Sequence, residues 1–95
     1  YRHDGVTAAG ERILPAGWVD HAGTAVSHDD ENGCDYGRHW WLWPEIPGSL
    51  ACHGHEGQYI VVVPDRELVV VHLGKTDATW SPQLRARLRQ MLETF

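Results

Sequence analysis

The sequence predicts an α+β chain, a three-stranded antiparallel sheet portion followed by a C-terminal helix. Two β-branched runs, Tyr59-Ile60-Val61-Val62-Val63 and Leu68-Val69-Val70-Val71-His72-Leu73, flank Pro64-Asp65-Arg66-Glu67, whose proline and aspartate favour the tight turn of an antiparallel hairpin. The aromatic-rich stretch Tyr36 to Trp43 stops at Pro44 and reads as a third strand. From Ser81 onward, Leu84, Leu88, Met91, Leu92 and Phe95 recur at spacings of 4, 3, 1 and 3, the apolar stripe of an amphipathic helix.

Each element follows from local chemistry. Tyr1 to Leu14 is polar and carries Gly5 and Gly10, as the end of an element followed by a turn does. Pro15 suits the first position of a short helix with Trp18, Val19 and Ala22 on one face, and Gly23 stops it. Thr24 to Asp35 turns polar, with Asp29-Asp30-Glu31 before Asn32-Gly33, and is expected to be an exposed loop whose carboxylates face water rather than hold a cation. The two β-branched runs are apolar at successive positions, so each strand is expected to be covered on both faces. In the tail Ser81 is placed to cap, Pro82 fits the first turn, and Arg85, Arg87 and Arg89 are expected on the wetter face.

Length and charge narrow the function. Ninety-five residues make one small domain or a piece of a larger one, and the single methionine, Met91, leads us to expect a piece of a longer chain. Eight Lys and Arg against 13 Asp and Glu argue against a nucleic-acid partner, because phosphate contacts need clustered cations. No apolar run approaches the roughly 18 residues of a spanning helix, so no membrane partner is expected. Cys34 and Cys52 are too few for a disulfide framework; their pairing and the compartment stay open, with the cytoplasm the favoured setting. Three strands and two short helices cannot cover a doubly apolar hairpin, and self-association through an exposed sheet is a further expectation.

Several motifs fail on inspection. Gly74-Lys75-Thr76 looks like the end of a phosphate-binding loop, but the earlier glycine that loop requires falls on Val69. Lys75-Thr76 also begins a Lys-Thr-Gly triplet, yet position 77 is Asp77. His53 and His55 share one face if both lie on a strand, and His72 on the partner strand would complete a metal set, but no fixed carboxylate accompanies them and no metal is expected. Ser27, Ser49 and Ser81 sit in no nucleophile turn. The stretch from Gly48 to Tyr59 is more informative. Gly54 and Gly57 precede the hairpin, and glycine inside a strand marks a bulge or a close approach by backbone or ligand.

At these residues the chain resembles the C-terminal part of serine β-lactamase-like hydrolases, a family that includes class C β-lactamases, penicillin-binding-protein relatives, esterases and 6-aminohexanoate-dimer hydrolases. Gly10-Glu11-Arg12-Ile13-Leu14-Pro15-Ala16-Gly17-Trp18-Val19 is similar to the family's helix lead-in, and Tyr36-Gly37-x-x-Trp40-Trp41 to its aromatic strand. Gly54-His55-Glu56-Gly57-Gln58-Tyr59, then Val61-Val62-Val63-Pro64 and Leu68-Val69-Val70-Val71, resemble its glycine-rich active-site strand and the hairpin after it. The resemblance spans nearly all of residues 1–95, and implies the terminal part of a β-lactamase-like α/β domain whose N-terminal part carries the nucleophile.

It implies a function as well. Such enzymes acylate a serine in a Ser-x-x-Lys motif, and here no serine is followed three residues later by lysine, nor does Tyr1, Tyr36 or Tyr59 begin Tyr-x-Asn. The family's third-motif triplet falls on Cys52-His53-Gly54, with His55 next. The resemblance therefore implies a substrate-binding role for Cys52, His53 and Gly54, and an oxyanion donor at the His55 backbone N–H. Gly54 would admit the acyl group to the backbone and His53 would polarise or position substrate. Lysine is missing from the triplet, and Glu56 stands where a small residue is common. The expectation is a fragment of a serine hydrolase acting on a small amide or ester, inactive alone, with no cofactor, whose partner is the rest of the same enzyme. The alternative is a noncatalytic relative or interaction module that binds through a strand edge and its tryptophans.

Overall fold

Six strands, rather than the three expected, hydrogen-bond in chain order into one antiparallel sheet. The structure, a computed structural model, describes residues 1–95. Helix α1 (Trp18–Ala22) comes first. Strands β1 (Ser27–Asp29), β2 (Cys34–Tyr36), β3 (Trp41–Leu42), β4 (Leu50–His53), β5 (Tyr59–Val63) and β6 (Leu68–His72) follow, and helix α2 (Ser81–Leu92) closes the chain. The fold is thus α+β as expected, with a larger sheet.

The extra strands come from the stretch expected to be a loop. Asp29 accepts from the Glu31 N–H at 2.9 Å and from the Asn32 side-chain amide at 2.7 Å, and Gly33 takes a positive φ of 64°. That turn chemistry folds Thr24 to Asp35 into a hairpin, β1 on β2. It also occupies the Asp29 carboxylate and holds it below its ordinary pKa, chiefly through the Asn32 hydrogen bond. The aromatic stretch is two strands instead of one, because the Gly37 N–H bonds the Trp40 carbonyl and His39 is left-handed, a turn that reverses the chain between β2 and β3.

The β5–β6 hairpin forms where the sequence predicts it, with Val63 opposite Leu68 and Tyr59 opposite His72. A 3-10 turn at Pro64–Arg66 closes it, the Glu67 N–H returning to the Pro64 carbonyl at 3.0 Å. Gly23 ends α1 as expected, but Pro15 opens a turn and not the helix, which starts after a left-handed Gly17. Ser81 is the first residue of α2 and caps nothing. Asp77 instead caps the preceding turn, accepting from Thr79.

Strand alternation divides the core into two layers. On one face Cys34, Trp43, Ala51, Tyr59, Val61 and Val63 pack against Leu88 and Leu92 of α2. On the other, Leu50 and Val62 meet Val19 of α1, flanked by Tyr1, Trp40 and Leu42. Helix α1 is too short to reach the far strands. Ile60, Val69 and Val71 on that second face remain 43%, 49% and 55% exposed, so the expectation of two covered faces fails along β6 and at Ile60 of β5. Met91 and Phe95 are exposed as well, leaving Leu84, Leu88 and Leu92 as the stripe of α2 that meets the sheet.

Arg85 is the other departure. Expected on the wet side of α2, it is buried beneath the sheet end. Its guanidinium pairs with Glu45 at 2.5 Å, donates to the Asn32 carbonyl at 2.7 Å and lies 5.1 Å from the Trp43 ring centroid. Helix α2 is thereby tied to the β1–β2 turn and to the β3–β4 connection.

Candidate functional site

The residues singled out from the sequence lie at the end of β4 and in the loop that follows. Within β4, Leu50 and Cys52 face the α1 side, whereas Ala51 and His53 face α2. Cys52 sits opposite Ile60, at the border of the uncovered apolar face. Burial pushes its thiol above the ordinary cysteine pKa, so the thiol is neutral at pH 7.

The His53 side chain points the opposite way, into an aromatic enclosure. Its ring stacks on Trp41 at 5.0 Å and an interplanar angle of 12°, and meets Tyr59 edge-on at 5.2 Å. The Trp43 indole N–H donates to His53 Nε2 at 2.8 Å, which fixes the neutral ring with its proton on Nδ1. Burial, and secondarily the Arg85 cation, lower its pKa to about 4. His53 is therefore an uncharged, half-buried imidazole, on the face of β4 opposite to Cys52.

The strand ends at His53, two residues earlier than a shared face for His53 and His55 requires. Gly54 is extended and its N–H bonds the Gln58 carbonyl at 2.7 Å. A Cβ on Gly54 would stand 3.1 Å from Gln58 Cβ and 3.2 Å from the Gln58 carbonyl oxygen, so the close backbone approach that its glycine signals is that of its own loop. His55–Gly57 form a single 3-10 turn in which Glu56 is left-handed (φ 58°, ψ 36°) and Gly57 has φ 81°. Two outside contacts fix this turn. The Thr76 N–H donates to the Glu56 carbonyl at 2.7 Å, and His72 Nδ1 meets the Gly57 carbonyl at 2.9 Å.

His55 stands at the start of that turn, where a backbone N–H has no partner within the turn itself. No loop hydrogen bond uses it. The His55 imidazole is 89% exposed, and both it and the Lys75 ammonium lie 3.7 Å from the Glu56 carboxylate. His53, His55 and His72, weighed above as a metal set, are not gathered: the first is half-buried against Trp41 and Trp43, the second in solvent and the third on a carbonyl. No cluster of three or more His, Cys, Asp or Glu side chains is placed to hold a metal ion.

Two residues that shape this region carried no signal of their own in the sequence. Trp43 engages the His53 nitrogen, and Arg85 lies against Trp43. The alternation of β4 offered the only hint, since it sets His53 on the same face as Ala51. The chain matches no protein-family model and no curated protein sequence.

Proposed function

We propose that this chain is the C-terminal part of a serine-dependent hydrolase of amides or esters, of the β-lactamase-like type, and that it supplies one oxyanion donor, the His55 N–H. The observation that carries the reading is the pinned turn after β4. It leaves the His55 N–H without a loop partner, directs the imidazole into solvent and adjoins the strand whose Cys52 borders an uncovered apolar face. In the proposed reaction a serine on the complementary part of the enzyme attacks the substrate carbonyl. The C–O bond forms as the carbonyl π pair moves to oxygen, and the His55 N–H together with the serine's own N–H stabilises that oxyanion. The serine's O–H proton passes to a base on that same complementary part, which delivers it to the amine or alcohol expelled on collapse, and water, deprotonated by the same base, then hydrolyses the acyl-serine.

The uncovered face of Ile60, Val69 and Val71 supports the same reading, because docking of the nucleophile-bearing part would bury it. Under this proposal the oxyanion role belongs to the backbone of His55. His53 acts by holding β4 in place through Trp43, while Cys52 and Gly54 form the wall nearest the substrate. The unpaired edge of β6 favours a second reading, a module that binds a partner strand. The test that separates them is ester turnover. A longer form of the protein that carries an upstream Ser-x-x-Lys should hydrolyse a chromogenic ester and be labelled by a serine-directed inhibitor, while residues 1–95 alone should do neither. A longer form with neither motif nor turnover would leave the binding module.

A further inference from the structure

Asn32 is the only asparagine in the chain, and Gly33 follows it. Both residues are exposed in the β1–β2 turn, Gly33 has φ 64°, and a Cβ built on it would meet nothing within 4 Å. The Gly33 backbone nitrogen, the next nucleophile along the chain from the Asn32 side-chain amide carbon, therefore has no side chain of its own to shield it and open space around it. Asp29 holds both groups. Its carboxylate accepts from Asn32 Nδ2 at 2.7 Å, and its backbone carbonyl accepts from the Gly33 N–H at 2.8 Å. The Asn32 backbone carbonyl in turn accepts from Arg85 Nη1 at 2.7 Å and from the Cys34 thiol at 3.4 Å. A residue able to rearrange its own main chain thus anchors α2 to the sheet.

We infer that Asn32 is a self-modification site, converting through a cyclic imide to aspartate and isoaspartate at a pace that Asp29 restrains, and that the conversion undoes the β1–β2 turn. In the first step the Gly33 nitrogen gives its proton to solvent base and attacks Asn32 Cγ. The N–Cγ bond forms, the Cγ–Nδ2 bond breaks, and Nδ2 leaves with a proton as ammonia. Water then adds to one imide carbonyl and breaks its bond to the Gly33 nitrogen. Opening at Cγ gives aspartate, and opening at the backbone carbonyl gives isoaspartate, whose main chain is longer by one carbon. Either product puts a carboxylate where Asp29 now accepts from an amide, beside Asp30 and Glu31. Isoaspartate also takes the carbonyl that receives Arg85 out of the main chain, so the change reaches α2. Asp29 slows the first step because both reacting groups must leave its hydrogen bonds before they meet. The inference is independent of the hydrolase reading.

The test is incubation of the 95-residue chain in warm, mildly alkaline buffer, with fragment mass spectrometry reading the mass increase of amide-to-acid conversion. The folded chain should gain that mass at Asn32, several-fold more slowly than the same chain unfolded in urea. Asn32→Gln, whose side chain would have to close a larger ring, should show no comparable gain. Asp29→Ala, checked for folding by circular dichroism, should convert several-fold faster than the parent. The converted fraction, separated by anion exchange, should melt below the unconverted one. No conversion of the folded chain while the unfolded chain converts fully would overturn the proposal, as would equal rates in the two. A folded Asp29→Ala variant converting at the parental rate would overturn it, and so would a gain that persists in Asn32→Gln or a converted fraction that melts with the parent. If Asp29→Ala does not fold, the folded and urea-unfolded rates of the parent decide whether the turn restrains the reaction.

Discussion

The Trp43 indole N–H and His53 Nε2 meet at 2.8 Å beneath α2, a hydrogen bond between two side chains that neither strand pairing nor loop closure demands. Trp43 is only 2% exposed, so its N–H has no recourse to water, and the imidazole must stay neutral to accept it.

This bond gives stability a pH dependence. Burial sets the folded His53 pKa at about 4, below its ordinary 6.5. Between those values the unfolded chain takes up a proton that the folded chain refuses. Stability therefore rises with pH through this window, is complete above about 6.5 and is lost as pH falls toward 4. Urea midpoints across the window should show that slope in the parent, and His53→Gln, which keeps an acceptor but does not titrate, should flatten it. An unchanged slope in the variant would refute the assignment.

A second expectation concerns Arg85. Removing one member of a buried ion pair strands the other, at a cost of about 3 kcal/mol at the low end of such cases. Arg85→Ala should lower the urea-derived stability by about that amount, while Arg85→Met combined with Glu45→Leu should recover much of it. Both changes costing the same would mean that packing against Trp43, rather than charge, ties α2 to the sheet.

Gly37 tests the seat of α1. A Cβ there would lie 1.9 Å from the Ala22 carbonyl oxygen, a backbone atom that cannot step aside without moving the end of α1. Gly37→Ala should cost about 1–3 kcal/mol, in the range of overpacking changes. A variant melting with the parent in a thermal scan would show that α1 is loosely seated.

The uncovered face leads us to expect association of residues 1–95 in solution. Residues 1–95 should bind a hydrophobic dye and scatter light as more than a monomer. Val69→Thr with Val71→Thr should reduce both signals, since these side chains are half exposed on that face. A monomeric parent that binds no dye would contradict this.

The long apolar signals were legible in the sequence and the short polar ones were not. The β5–β6 hairpin and α2 are written in β-branched runs and leucine spacing, which survive any tertiary context. Strands β1 to β3 span three, three and two residues, so no periodicity develops, and only the Asp29–Asn32 turn chemistry and the glycine at 37 mark where they reverse. Arginine composition likewise pointed Arg85 to water, because its partners Glu45 and Asn32 are distant in sequence and come together only through the sheet. Of the candidate site, Cys52 to His55 was visible as a glycine-marked strand end. The direction of each side chain was not, because the strand stops at His53 and the loop turns there.

The central claim is that the His55 backbone N–H, and not its imidazole, serves the chemistry. The direct measurement is the acylation rate of a longer, active form of the protein carrying His55→Ala or His55→Pro, each compared at matched folded fraction and melting temperature. Alanine keeps the N–H and should change the rate little. Proline removes it and should slow acylation by about 100- to 1000-fold, the loss of one oxyanion donor. A folded His55→Pro variant that acylates at the parental rate would contradict the claim, and so would an alanine variant as slow as the proline one.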